Sequence, residues 1–149
     1  MKKVVLTILF AASTLVAANA QSNAIGLRFG AGDGTSVEAS YQRDLSDENR
    51  LEVDLGLNFD EVFCVAGVYQ WVWDLSALSD GFKWYAGPGA GAYFFNGGAG
   101  IGIVGNVGIE YNFNIPLQLS LDFRPGWYFF DGYNDFGWGG VGLAARYKF

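Results

Sequence analysis

The sequence predicts an all-β protein: an eight-stranded, antiparallel, up-and-down transmembrane β-barrel, preceded by a cleaved signal peptide. Three observations predict it. After residue 20 the chain alternates apolar and polar residues with a period of two, in stretches separated by Gly, Asn and Asp turn signals, and shows no helical period. The composition is 51% apolar and 17% aromatic with 22 glycines, which excludes disorder and is more ring surface than a small water-soluble core can hide. The charges fall on one face of the alternating stretches while the rings and aliphatic residues fall on the other.

The first twenty residues read as a secretory signal. Lys2 and Lys3 are its basic start, Val4 to Ala12 its apolar run, and Ala18-Asn19-Ala20 its small-x-small cleavage site before Gln21. The apolar run is well short of the roughly 20 residues a transmembrane helix needs. Two parts are therefore expected, residues 1–20 as the signal peptide and 21–149 as a single barrel domain. Without Lys2 and Lys3, seven basic residues face fifteen acidic ones. This excess is the wrong sign for nucleic acid, whose phosphates require Lys and Arg. The single cysteine, Cys64, forms no intramolecular disulfide and is expected to be a packed or lipid-facing thiol.

Ala24 to Gly30 opens the alternation, with Ile25, Leu27 and Phe29 opposite Arg28. Gly32-Asp33-Gly34 marks a turn. Ser36 to Gln42 follows, with Val37, Ala39 and Tyr41 against Glu38, Ser40 and Gln42. Arg43 to Arg50 reads as a charged connection. Leu51 to Phe59 is the cleanest stretch, with five apolar residues opposing Glu52, Asp54, Gly56 and Asn58, and Asp60-Glu61 turns the chain. Val62 to Asp74 ends with Tyr69, Trp71 and Trp73 against Gln70, Val72 and Asp74. A small-residue connection, Leu75 to Gly81, leads to Phe82 to Phe95, in which Trp84 opposes Lys83, Tyr85 and Tyr93. Pro88 lies inside that strand. It donates no ladder bond, so a bulge or irregular pairing is expected there. Asn96-Gly97-Gly98 turns into Ile101 to Phe113, where Glu110 and Asn106 oppose Ile103, Val107 and Ile109. Asn114-Ile115-Pro116 turns into Leu117 to Phe129, with Asp122 and Arg124 opposite Leu119, Leu121 and Trp127. Asp131 to Gly137 reads as a loop. The last strand sets Val141, Leu143, Ala145, Tyr147 and Phe149 against Gly142, Ala144, Arg146 and Lys148. A free strand end with five apolar residues on one side is an aggregation hazard in water, and closing a barrel against lipid removes the hazard.

Gathering the polar faces predicts a lumen holding Arg28, Lys83, Arg124, Arg146 and Lys148 against Glu38, Glu52, Asp54, Asp74, Glu110 and Asp122. An eight-stranded barrel is just wide enough for side chains to fill, and a charge inside it must be paired. The near balance of signs fits a plugged, ion-paired lumen. Trp71, Trp73, Trp84 and Trp127 are expected at the membrane interfaces. Trp71, Trp73 and Trp84 would gather with Tyr111, Phe113, Tyr147 and Phe149 at one end, and Trp127 with Phe59, Phe94, Tyr128 and Phe129 at the other.

Motifs for chemistry are weak. Gly100 to Gly105 spells G-x-G-x-x-G, but more alternating strand follows it, not the helix a pyrophosphate would need. There is no histidine, which removes Ser-His-Asp catalysis and His-based zinc sites. Glu52 and Asp54 share a face, as acid–base pairs do, but nothing else marks a cleft, and structural pairing is the expectation. Asp131 and Asp135 lack the spacing of a calcium loop. No catalytic residue, cofactor or metal is expected.

The closing strand, with Phe149 last and Tyr147 two before it, resembles that of bacterial outer-membrane β-barrels. Ile115 to Pro125 resembles the penultimate strand of the small members, and Asn23 to Phe149 as a whole resembles the small OmpX/OmpA-transmembrane-like family of Gram-negative bacteria. The resemblance implies an outer-membrane location, termini on the periplasmic side, and Tyr147 and Phe149 as a signal read by the barrel-insertion machinery. It implies outer-membrane lipid as surroundings and a monomer that is not an enzyme. The expected role is structural or surface-interacting, without the peptidoglycan-binding domain of OmpA or the protruding outer strands of OmpX. A narrow, porin-like channel and a soluble periplasmic lipocalin-like binder are the alternatives. The second requires the reverse pattern, an apolar lumen and a polar outside.

Overall fold

Strict alternation leaves each stretch one way to satisfy its backbone and hide its charges: every strand pairs on both sides and the sheet closes. In a computed structural model that describes residues 23–32, 35–58 and 62–149, the sheet does close, with one short strand paired on a single side among the described residues. The strands are β1 (Asn23–Ala31), β2 (Ser36–Asp44), β3 (Asn49–Asn58), β4 (Phe63–Asp74), β5 (Phe82–Phe95), β6 (Gly98–Asn112), β7 (Leu117–Phe123), β8 (Gly126–Phe130), β9 (Tyr133–Gly137) and β10 (Val141–Lys148). All pairings are antiparallel, and β7 with β8, and β9 with β10, each make one interrupted wall strand, so the barrel has eight. β10 closes it on β1, from Ala24↔Lys148 to Ala31↔Val141. The expected signal peptide, the Asp33-Gly34 turn, Phe59 and the Asp60-Glu61 turn lie outside the described residues.

The ladder fixes the barrel's dimensions. From Phe29, partners run through Val37, Leu57, Phe63 and Phe94 to Ala99 on β6. In the other direction they run through Leu143 and Leu121 to Ile109. The two paths end ten residues apart on β6, which is the shear of the closed sheet. With a rise of about 3.3 Å per residue and strands about 4.8 Å apart, that shear gives a tilt of about 41° and a backbone radius of about 8 Å.

Two interruptions have local causes. Pro88 breaks the β4 ladder between Val68↔Gly89 and Trp71↔Ala86, but the register on either side is the same and the β6 side is unbroken, so no bulge forms. The real bulge is at residues 138–140, which face only Arg124 and Pro125 across the sheet, so that wall strand carries one extra residue. Gly139 and Gly140 supply the positive φ angles it needs, 69° and 100°. This corrects the reading of Asp131 to Gly137 as a loop. Asp131-Gly132 is a two-residue turn with Gly132 at φ 86°, and Tyr133–Gly137 is a strand. The extra residue inverts the alternation, so β9 and β10 do not read as one period in the sequence. The β8–β9 hairpin also rises past the end of β1, where no protruding strand was expected, and among the described residues β9 pairs with β8 alone.

The walls have charge inside and apolar groups outside. Leu27, Leu57, Ile101, Ile103, Leu121 and Leu143 are about half or more exposed on the outer face, whereas Glu52 and Asp54 are 0% and 1% exposed. This is the reverse of a soluble lipocalin-like binder. Asn23 and Phe149 bond to each other, which puts both chain ends of the barrel at one end, here the near end, with connections 45–48, 75–81 and 113–116.

Candidate functional site

The strand alternation aims every second residue of eight strands at one axis, and at this radius they meet. The centre is Glu52 on β3, whose carboxylate accepts bonds from Gln42 Nε2 (2.6 Å), Arg124 Nη2 (2.9 Å), Arg146 Nη2 (3.1 Å) and Gln70 Nε2 (3.3 Å). Arg124 also reaches Asp54 at 2.5 Å and Glu38 at 3.4 Å. Glu38 accepts from Arg28 at 3.0 Å, and Arg28 holds Asp122 at 2.6 Å. Arg146 is further held by Ser40 (2.9 Å) and Ser120 (2.8 Å). Toward the near end, Gln70 donates to Asn106 (2.7 Å) and accepts from Arg50 (2.5 Å), which pairs with Glu110 at 2.5 Å and lies 4.5 Å over the Tyr85 ring.

Of the eleven expected lumen charges, Arg28, Glu38, Glu52, Asp54, Glu110, Asp122, Arg124 and Arg146 are buried here. Lys83 and Lys148 stand lower, in a cavity at the near end, where Lys148 Nζ donates to Asn112 at 3.0 Å. Asp74 is a correction. It is exposed at the end of β4, where the ladder runs out, and it takes the Ser76 hydroxyl (2.6 Å) and amide (3.1 Å) instead of a lumen partner. Those two bonds hold its carboxyl below the ordinary range. Arg50, assigned to a connection in the sequence, is buried in the network because β3 starts at Asn49, before the first apolar residue of the pattern. Its signal was present: Arg50, Glu52 and Asp54 keep the period of two. Cys64 is neither lipid-facing nor fully packed; it borders a cavity at the far end.

The network is a plug between two cavities. The near one, about 530 Å³, is bordered by Asp44, Arg50, Lys83, Glu110, Asn112 and Lys148. The far one, about 550 Å³, has Arg28, Glu38 and Arg124 as its floor and Tyr93, Phe95, Tyr128, Phe130 and Tyr133 among its walls. Tyr128 therefore points inward, not to the outer girdle the sequence suggested, because it alternates with the outward Trp127 and Phe129.

Outside, Trp71, Trp73 and Trp84 are exposed at the near end, with Trp73 and Trp84 stacked at 4.2 Å and Tyr111 against Phe113 at 4.7 Å. Trp127 is exposed at the far end against Phe136 (5.9 Å), and Phe63 against Phe94 (6.1 Å). Phe63 and Trp73 are ten residues apart on β4. At the tilt above this is about 25 Å along the barrel axis, the height of the apolar band of an outer-membrane barrel. Tyr147 and Phe149 lie near-parallel at 6.5 Å where the barrel closes. Among the described residues, no group of three or more His, Cys, Asp or Glu is placed to hold a metal ion.

No family model and no curated protein matches the chain. Its fold is similar to designed transmembrane β-barrels (TM-score 0.65, 16% identity, covering 89% of this chain and 98% of that one). It is also similar to the N-terminal β-barrel domain of Pseudomonas aeruginosa OprF (0.63, 14%, 88% and 100%) and to Neisserial surface protein A (0.57, 15%, 85% and 94%). The chain has the fold of a membrane-spanning β-barrel.

Proposed function

We propose that this is an integral outer-membrane barrel of a Gram-negative envelope with a plugged lumen, serving a structural or surface-interaction role and not catalysis. The observation that carries the reading is the inversion of the wall: about half-exposed Leu, Ile and Phe outside, fully buried and ion-paired Arg, Glu and Asp inside. Only lipid makes that arrangement favourable, since each outward side chain would otherwise keep its apolar surface in water. The two aromatic girdles support it, as does the likeness in fold to other membrane barrels. In this reading the near end, with both chain ends of the barrel, faces the periplasm. Tyr147 and Phe149 engage the insertion machinery, the surroundings are outer-membrane lipid, and the protein is a monomer.

The lumen argues against an open pore. From Arg28 and Asp122 to Arg50 and Glu110 the bonds are continuous, passing through Gln70 between Glu52 and Arg50, with side chains filling the cross-section. The test is fractionation with heat-modifiable gel migration, followed by single-channel recording. The expected result is an outer-membrane protein that migrates differently unboiled and passes no measurable current. Recovery in the soluble periplasmic fraction would overturn the membrane reading, and sustained conductance the plug. Orientation is read with a membrane-impermeant maleimide on intact cells in a Cys64→Ser background: Asp131→Cys is labelled and Ser79→Cys is not. Phe149→Ala is expected to slow assembly in cells while leaving refolding into lipid vesicles unchanged.

A further inference from the structure

We infer that the far cavity is a binding site for an organic cation with an apolar body. Above Arg28 and Arg124 the inward face changes character, from charges to rings. Tyr93 and Phe95 come from β5, Tyr128 and Phe130 from β8, and Tyr133 from β9. They are continuous: Tyr93 meets Tyr128 at 5.2 Å, Phe95 meets Phe130 at 5.9 Å, and Phe130 stacks on Tyr133 at 5.0 Å. The cavity of about 550 Å³ that they border is in the range that holds a small organic molecule. Ring faces carry negative potential and attract cations, most of all quaternary ammonium groups.

The charges at this end select the sign. Asp135 borders the cavity, and the β8–β9 turn adds Asp131. None of the four far-end connections contains Lys or Arg. The two arginines of the floor already face carboxylates, Arg28 with Asp122 and Glu38, Arg124 with Glu38, Glu52 and Asp54. An anion would meet rings and carboxylates with no uncommitted cation to receive it, while a cation is drawn in by the field. The near cavity is an internal contrast: similar in size, it has no aromatic ring at its border and mixes Lys83 and Lys148 with Asp44 and Glu110. The rings are thus a property of this end, not of barrel interiors in general.

The bulge builds the site. In an uninterrupted strand, Tyr133 and Asp135 would share the outward face of Val141 and Leu143. The extra residue at 138–140 turns both toward the axis, opposite Phe130 and Tyr128.

The test uses the protein purified from membranes in dodecyl maltoside, a neutral sugar detergent, because choline-headed detergents carry the very group in question. Benzyltrimethylammonium is titrated and followed by backbone amide NMR shifts, with benzenesulfonate as the anion of like shape. The expected result is saturable binding of the cation alone, weakened by added salt, with shifts confined to residues around the far cavity. Tyr133→Leu is expected to weaken it about 3- to 10-fold, the loss of one ring face. Asp135→Asn weakens it less, and Phe129→Leu, outward on β8 and outside the cavity lining, not at all. All three variants must keep heat-modifiable migration, and each position is exposed, so folding is not at stake. Equal binding of benzenesulfonate, shifts centred on Lys83 and Lys148, or no saturable binding of the cation would each overturn the inference.

Discussion

Glu52→Gln removes one charge and almost no volume from the centre of the plug. Arg124 keeps two carboxylates, Asp54 and Glu38. Arg146 does not: Glu52 is its ion partner, and its remaining bonds go to Ser40, Ser120 and Gln118. The variant therefore leaves a fully buried guanidinium with neutral partners, and breaking a buried pair in this way costs about 3–5 kcal/mol. With a urea dependence near 2 kcal/mol per molar, the unfolding midpoint in lipid vesicles falls by about 2 M. Urea is the denaturant of choice because guanidinium would screen the pairs under study. Adding Arg146→Met to Glu52→Gln is expected to recover part of the loss, with a coupling energy of about 0.5–3 kcal/mol. Asp74→Asn, which alters an exposed carboxylate, leaves the urea midpoint essentially unchanged. Equal midpoints for Glu52→Gln and Asp74→Asn would refute the argument, since they would mean that the lumen is wet enough to solvate Arg146 by itself.

Three further outcomes follow from the same barrel geometry. Val53→Arg, outward in the middle of β3, should cost about 2–4 kcal/mol in vesicles and Leu51→Arg, nearer the girdle, about 0–1, measured by the same urea midpoint. Equal costs would mean that depth in a bilayer is not what these positions feel. A Cβ at Gly142 overlaps the Arg28 guanidinium, which Asp122 and Glu38 hold in place, so Gly142→Ala should destabilise by about 1–3 kcal/mol. At Gly67, which faces outward with nothing within 4 Å, Ala should be neutral or slightly stabilising in the same assay. Gly139→Val sets a β-branched residue at φ 69° against the Arg124 carbonyl and should cost at least about 1–3 kcal/mol, with binding of benzyltrimethylammonium lost in the NMR titration.

Most of the barrel was legible because period two is a local signal that a closed sheet cannot contradict: a single slip would turn every side chain over. Leu51 to Asn58 and the stretch from Val141 show this, each running in the phase the sequence displays. The plug was legible for the same reason, residue by residue, once the polar faces were superposed. What was not legible depended on where strands begin, end or skip. Arg50 precedes the first apolar residue of β3 and read as a turn; Asp74 is the last residue of β4, beyond the end of the β3 ladder, and read as lumen. Tyr133–Gly137 was lost because the bulge reverses its phase, and the far cavity was lost with it, since Tyr133 and Asp135 point inward only across that irregularity. Which donor met which carboxylate also lay beyond the pattern, because those contacts cross the axis between strands far apart in sequence, as Arg124 and Glu52 do.

The charged interior is better explained by register than by stability. Buried ion pairs seldom stabilise a fold relative to apolar groups of the same shape, because desolvation offsets their attraction. Here, however, the outside must be apolar. A lumen that was also apolar would leave the strands greasy on both faces, with little to distinguish one register from the next. With Arg28, Arg50, Arg124 and Arg146 set against Glu38, Glu52, Asp54, Glu110 and Asp122, a one-residue slip of any strand that carries them puts ionised groups into lipid. At the bilayer midplane that costs about 2–4 kcal/mol for each Arg, and somewhat less for each carboxylate. Moving β7 and the residue after it, for example, would expose Asp122 and Arg124 together and leave Arg28 with Glu38 as its remaining carboxylate. On this argument a variant with an all-apolar lumen can match the parent in denaturant resistance yet populate several gel-resolved species when refolded. The ion pairs act by making the alternatives worse.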